Sequence, residues 1–145
     1  MRGLKALTVA ALALMTILLF VPARQAQAQT PSYLHAISDL RSARAYLQMD
    51  NRPNEADARA RAIEEINHAL DDIKVAAVDD GKTPWQTPPP QSGGDPNLPI
   101  HTAVRLLREA RSDVDHGHDR PENQGLRERS VRHIDRALDV LSPFL

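Results

Sequence analysis

A chain of 145 residues with 18 Lys and Arg against 19 Asp and Glu carries a formal net charge of −1, without the basic excess that a nucleic-acid-binding face needs. It has no cysteine, which excludes disulfides, thiolate metal sites, covalent haem attachment and cysteine catalysis. A domain of this size buries about two-thirds of its surface on folding, so packing alone can hold it.

Residues 1–28 read as a secretory signal peptide. Arg2 and Lys5 make a short positive start, residues 6–21 are an apolar run, Pro22 ends it, and Ala26-Gln27-Ala28 offers the small-x-small pattern of a cleavage site. The run is too short and wrongly flanked for a stable membrane span. Cleavage after Ala28 would remove three basic residues, leave Gln29 as the new terminus and make the remainder more acidic. A leader of this type places the protein in a bacterial periplasm or outside the cell.

Four segments then carry helical periodicity, in which steps of three and four put one apolar stripe on one face. In the first, opened by Thr30-Pro31, the stripe is Tyr33, Ile37, Leu40 and Leu47, with Arg44 in the missing slot. The second runs through Ala60, Ile63, Ile66, Leu70, Ile73 and Ala77, and Asp79-Asp80-Gly81 closes it with glycine past the helix end. The third is Ile100, Val104, Leu107 and Val114, with Arg111 in the gap; the fourth is Val131, Ile134, Leu138 and Leu141, stopped by Pro143. Prolines at 53 and 121 break the chain within each pair, with polar residues beside them as expected caps.

The two halves repeat each other. Residues 52–73 realign with residues 120–141 at a shift of 68, with eight of 22 positions identical, among them Arg59/Arg127, Ile66/Ile134, Leu70/Leu138 and Asp71/Asp139. Residues 36–47 realign with 103–114 at a shift of 67. The expected fold is all-α: a four-helix bundle made of two repeated antiparallel αα-hairpins, residues 29–81 and 100–145, forming one domain. Between them, residues 82–99 hold six prolines and two glycines and read as an extended connector, long enough to run the length of a bundle. Leu70 and Leu138 fill the same slot, so both should be fully buried.

Trp85 lies in that connector. It reads either as an anchor tying the connector to the bundle or as an exposed contact for a partner, since tryptophan is enriched at interface cores. The densest set of ligand-type residues is Asp115-His116-Gly117-His118-Asp119 in the second turn. It reads as a solvated polar turn, where these residue types are common, or as a metal site. In the second reading His116, His118 and Asp119 would hold Cu, Zn or Ni, joined by Met49 and Asp50 of the first turn if both turns lie at one end.

Arg44 and Arg111 recur in core-register slots beside Ala43 and Ala110. The expectation is that the alanines face the core and the arginines lie along the boundary, with Asp71 and Asp139 as their ion-pair partners from the other helix of each pair. Glu65-Ile66-Asn67-His68 has the Glu-x-x-His spacing of di-iron bundles, but the second copy reads His133-Ile134-Asp135-Arg136 and breaks the pattern. His35, His101 and His133 are spread singly and read as surface or boundary residues. No nucleophile motif or glycine-rich phosphate loop occurs, so no enzyme activity and no cofactor are expected.

Residues 34–44, 62–66, 73–82 and 125–127 together resemble a group of small exported bacterial proteins with a duplicated helical hairpin. The resemblance covers most of the chain after the leader. It implies the fold and the compartment and carries no functional residues across; the histidine pair is not a feature of that group. The sequence therefore points to an exported, non-enzymatic helical bundle with an interaction or structural role in the cell envelope, whose partner would be an envelope protein, with transition-metal binding through His116 and His118 as the alternative.

Overall fold

The computed structural model describes residues 32–90, 93–117 and 121–145. The segment expected to be a leader, Thr30-Pro31, His118 and Asp119 lie outside the described residues. Four helices carry the fold: α1 (Ser32–Met49), α2 (Ala56–Asp79), α3 (Pro99–Asp115) and α4 (Gln124–Leu141). Short 3-10 turns occupy Pro53–Glu55, Pro121–Asn123 and Ser142–Phe144, and no strand occurs among the described residues.

The helices form a bundle in which α1 packs on α2 and α3 on α4, but the most extensive contacts join α1 to α3 and α2 to α4. Hydrogen bonds fix the directions. At the start of α4, Asn123 Nδ2 donates to Ala76 O at 3.4 Å and Asp80 Oδ1 at 3.1 Å near the end of α2. Further along α4, Arg129 meets Asp72, and further still His133 meets Glu65. As α4 advances its partners retreat along α2, so the two run antiparallel. Arg127 Nη1 reaches Gly117 O just past α3, at 3.4 Å, which sets α3 antiparallel to α4. The turn after α1 and the turn after α3 therefore sit at opposite ends of the bundle.

The core follows most of the stripes read from the sequence, but Ala60 is exposed, with Ala58 and Ala62 buried on either side of it, and Ile63 and Val131 are only partly buried. Ile37, Leu40, Leu47, Ile66, Leu70, Ile73, Ile100, Leu107, Val114, Ile134 and Leu141 are all fully buried. Ala36, Ala43, Ala103 and Ala110 are fully buried as well, and these small side chains let α1 and α3 approach closely. Leu138 departs from expectation. It is half-buried against the core, whereas Leu70 is 1% exposed. Within α4 it is Ala137 and Leu141 that point fully inward. Asp39, fully buried, is a second surprise; the matching α3 residue, 67 positions on, is Leu106.

The helix ends are made differently from the expected polar caps. Neither Glu55 nor Asn123, the residues before α2 and α4, gives a side-chain cap bond. Asp50 organises the first turn instead. Its carboxylate accepts from the Arg52 backbone N–H at 3.0 Å and from the Arg52 side chain at 2.6 Å, with Arg59 at 3.6 Å. The hydrogen bonds from the Arg52 guanidinium, its largest influence, hold the Asp50 carboxyl below the usual carboxylate range. Gly81, at φ +72°, closes α2 as the sequence leads one to expect: Gly81 N–H donates to Val78 O and Lys82 N–H to Ala77 O.

The segment after α2 travels from one end of the bundle to the other, where α3 begins, and it is packed on the way. Pro84 is buried. Arg105 donates to Gly93 O, Asp95 and Thr102 exchange two hydrogen bonds, and a methyl group at Gly94 would overlap the Tyr46 ring.

Candidate interaction site

The site begins with a four-residue turn. Gln86 N–H donates to Thr83 O at 3.0 Å, so Thr83-Pro84-Trp85-Gln86 folds as a β-turn with proline in its favoured second position. The α1 side chain Arg41 reaches across and donates to Pro84 O at 3.2 Å. Pro84 is thereby the anchor, turned inward, and the next side chain is turned outward. Trp85 is 73% exposed. The anchoring role open to Trp85 in the sequence is thus filled by its neighbour.

Two valines continue the apolar surface. Val75 and Val78 of α2 are 51% and 52% exposed and lie three residues apart on the face opposite Ile73, Ala76 and Ala77. With Arg41, Lys74, Asp79, Pro84 and Trp85 they line an open hollow of about 460 Å³. Lys74 Nζ lies 3.4 Å from Asp71 Oδ1 on the same helix. The hollow is therefore an apolar floor flanked by two cations, Arg41 of α1 and Lys74 of α2, and by a carboxylate, Asp79. It offers shape, an aromatic plane and charge, the features that recognition of a partner uses.

The other singled-out residues fall elsewhere. Met49 is 62% exposed and Asp50 sits in the first turn, whereas His116 belongs to the second. With α2 and α4 antiparallel, the two turns lie at opposite ends of the bundle, so Met49 cannot join His116 on one ion. His116 Nδ1 lies 2.7 Å from Ser112 O; a carbonyl only accepts, so this ring nitrogen donates and closes the last turn of α3. Among the described residues no group of three or more His, Asp or Glu side chains is placed to hold a metal ion.

The arginine partners are shifted by one helical turn from those expected. Arg44 Nη1 donates to Asn67 Oδ1 at 2.7 Å, and Arg111 Nε donates to Asp135 Oδ1 at 2.5 Å. Asp71 is exposed and faces Lys74, and Asp139 is exposed. In each antiparallel pair the arginine leans toward the residue level with it, four positions earlier than the one assigned from register. Ala43 and Ala110 do face the core, with Arg44 and Arg111 at its boundary.

One cluster is missed by reading residues singly. Glu65 Oε2 lies 2.6 Å from His133 Nδ1 and 3.8 Å from Arg136, and the rings of His68 and His133 stack with centroids 5.1 Å apart. The realignment of the sequence holds the signal: Glu65 matches His133 and His68 matches Arg136 at the 68-residue shift. Antiparallel packing of α2 on α4 about Ile66 and Ile134 brings all four to one face. The stacked rings are 29° from parallel, so their in-plane nitrogens do not converge on a common point.

No helix among the described residues is long and apolar enough to cross a membrane. Comparisons with protein-family models, with curated proteins and with solved structures return no match.

Proposed function

We propose that this chain is an exported, non-enzymatic interaction protein of the bacterial cell envelope, and that the Trp85 hollow is its contact surface. The observation that carries this reading is the exposure of the chain's single tryptophan, at 73%, on a turn held rigid by Arg41 and Pro84. Exposing so large an apolar side chain beside two exposed valines has no role in folding, and such a rigid aromatic anchor suits a docking surface. The export reading rests on Arg2, Lys5, the apolar run and Ala26-Gln27-Ala28.

The scaffold beneath it is read as one αα-hairpin used twice, joined by the Pro/Gly-rich connector. The Arg44–Asn67 and Arg111–Asp135 contacts support this, because each member matches its counterpart at the repeat shift. A photo-crosslinking residue placed at Trp85, with Arg136 as a control on another face, tests the function in the native envelope. Crosslinked products specific to position 85 are expected. Equal labelling at both positions, or none at 85, would remove the assignment. N-terminal mass analysis of the same protein should find Gln29, not Met1.

A further inference from the structure

We propose that the partner of the Trp85 hollow is a second copy of this chain, paired through α2 in parallel about a two-fold axis; this rests on the hollow being the contact surface.

The argument is one of pattern and charge. On the outer face of α2, Asp71, Val75 and Val78 follow steps of four and three, and Lys74 and Asp79 flank the valines. In heptad terms Val75 and Val78 take the two seam positions, Lys74 the position before the first and Asp79 the position after the second. In a parallel helix pair those flanking positions face each other across the seam and carry the charges that choose the partner. Lys74 of one copy then meets Asp79 of the other, and the two-fold repeats the contact. Over these last turns of α2 the face is complementary to itself, as a closed dimer requires; one seam position further back Asp71 meets its own copy, and the Lys74 ammonium 3.4 Å from it offsets that charge.

Val75 and Val78 are about half exposed and Lys74 retains 39% of its side-chain surface, so all three are available. Trp85, beside the end of α2, extends the seam past the point where the helix stops, and an aromatic side chain of this size can bury about 150–250 Å². Two valines and one tryptophan per copy make a small interface, so the dimer is weak and concentration-dependent.

The test is sedimentation of the chain, expressed from its whole 145-residue sequence, over a wide concentration range. A monomer–dimer equilibrium is expected. Lys74→Asp and Asp79→Lys should each weaken it about three- to fivefold, and the double exchange should restore it, because the pair is rebuilt with signs reversed. Val78→Glu should weaken it at least about tenfold with an unchanged thermal melt, since Val78 is exposed in the single copy. A monomer at every concentration, or a double exchange no better than the singles, would overturn the proposal. If position 85 then still crosslinks a different protein, the contact surface stands and only the identity of its occupant falls. If it crosslinks nothing, both fall.

Discussion

Arg111 and Asp135 meet across the α3–α4 interface, Nε to Oδ1 at 2.5 Å, in the same slot where Arg44 meets Asn67 across α1–α2 at 2.7 Å. The α3–α4 pair uses a carboxylate, the α1–α2 pair an amide. Both side chains of the Arg111 pair keep about two-fifths of their surface, so water screens the charge and the shared requirement is an acceptor at that height.

This gives a direct expectation. Asp135→Asn should change stability by less than about 1 kcal/mol, because the α1–α2 pair already works with asparagine. Asp71→Ala and Asp139→Ala should stay within about 0.5 kcal/mol of the parent. Urea melts of the three variants check it, and a larger loss for Asp139→Ala than for Asp135→Asn would reverse the assigned pairing.

Leu70 and Leu138 stand at matching positions of two segments that look alike in sequence but are buried differently. Leu70→Ala empties a fully enclosed site and should cost about 2–5 kcal/mol. Leu138→Ala, at a half-buried position, should cost clearly less, because water or neighbouring side chains can take up part of the space. Thermal melts rank the two.

Asp50 links the first turn to pH. Its folded carboxyl is held low by the Arg52 hydrogen bonds, so its contribution is complete above the ordinary aspartate pKa and is lost as pH falls through the lower folded value. Asp50→Asn should cost about 1–3 kcal/mol near neutrality, the range for hydrogen bonds to charged groups. The gap between parent and variant should close below about pH 4. Denaturant melts of both proteins across that range test the sign as well as the size.

The connector behaves as a packed strap. Treated as a passive tether, it would lose or gain only about 0.6 kcal/mol for each halving or doubling of length. Deleting residues 87–94 removes the Gly93 acceptor of Arg105 and the close approach of Gly94 to Tyr46, and forces the remainder to run nearly straight to α3. A loss well above the tether value, read from a thermal melt, is the expected outcome.

The helices and the core were legible in the sequence because burial imposes a period, and Ile66, Ile134, Leu40 and Leu107 report it without reference to anything else. The relative placement of the pairs was not. The connector could reach either end, and it is the succession of contacts from Asn123 with Ala76 and Asp80, through Arg129 with Asp72, to His133 with Glu65 that decides between parallel and antiparallel α2 and α4. That choice separates Met49 from His116 and brings Glu65 to His133. Trp85 was ambiguous for a related reason: whether Pro84 or Trp85 points inward depends on Arg41, 43 residues away, and no local pattern encodes that.

The central claim is that the aromatic plane of Trp85 faces water in a single copy and is covered when two copies meet. Because it is the only tryptophan, intrinsic fluorescence reads it directly. At the lowest concentrations its emission and its quenching by acrylamide should match those of free indole in water. Both should move toward a protected, blue-shifted signal as concentration rises, and Val78→Glu should abolish that movement. Protected emission at every concentration would place Trp85 inside its own chain, and water-like emission that never changes would mean that no second copy covers it; either result would contradict the account.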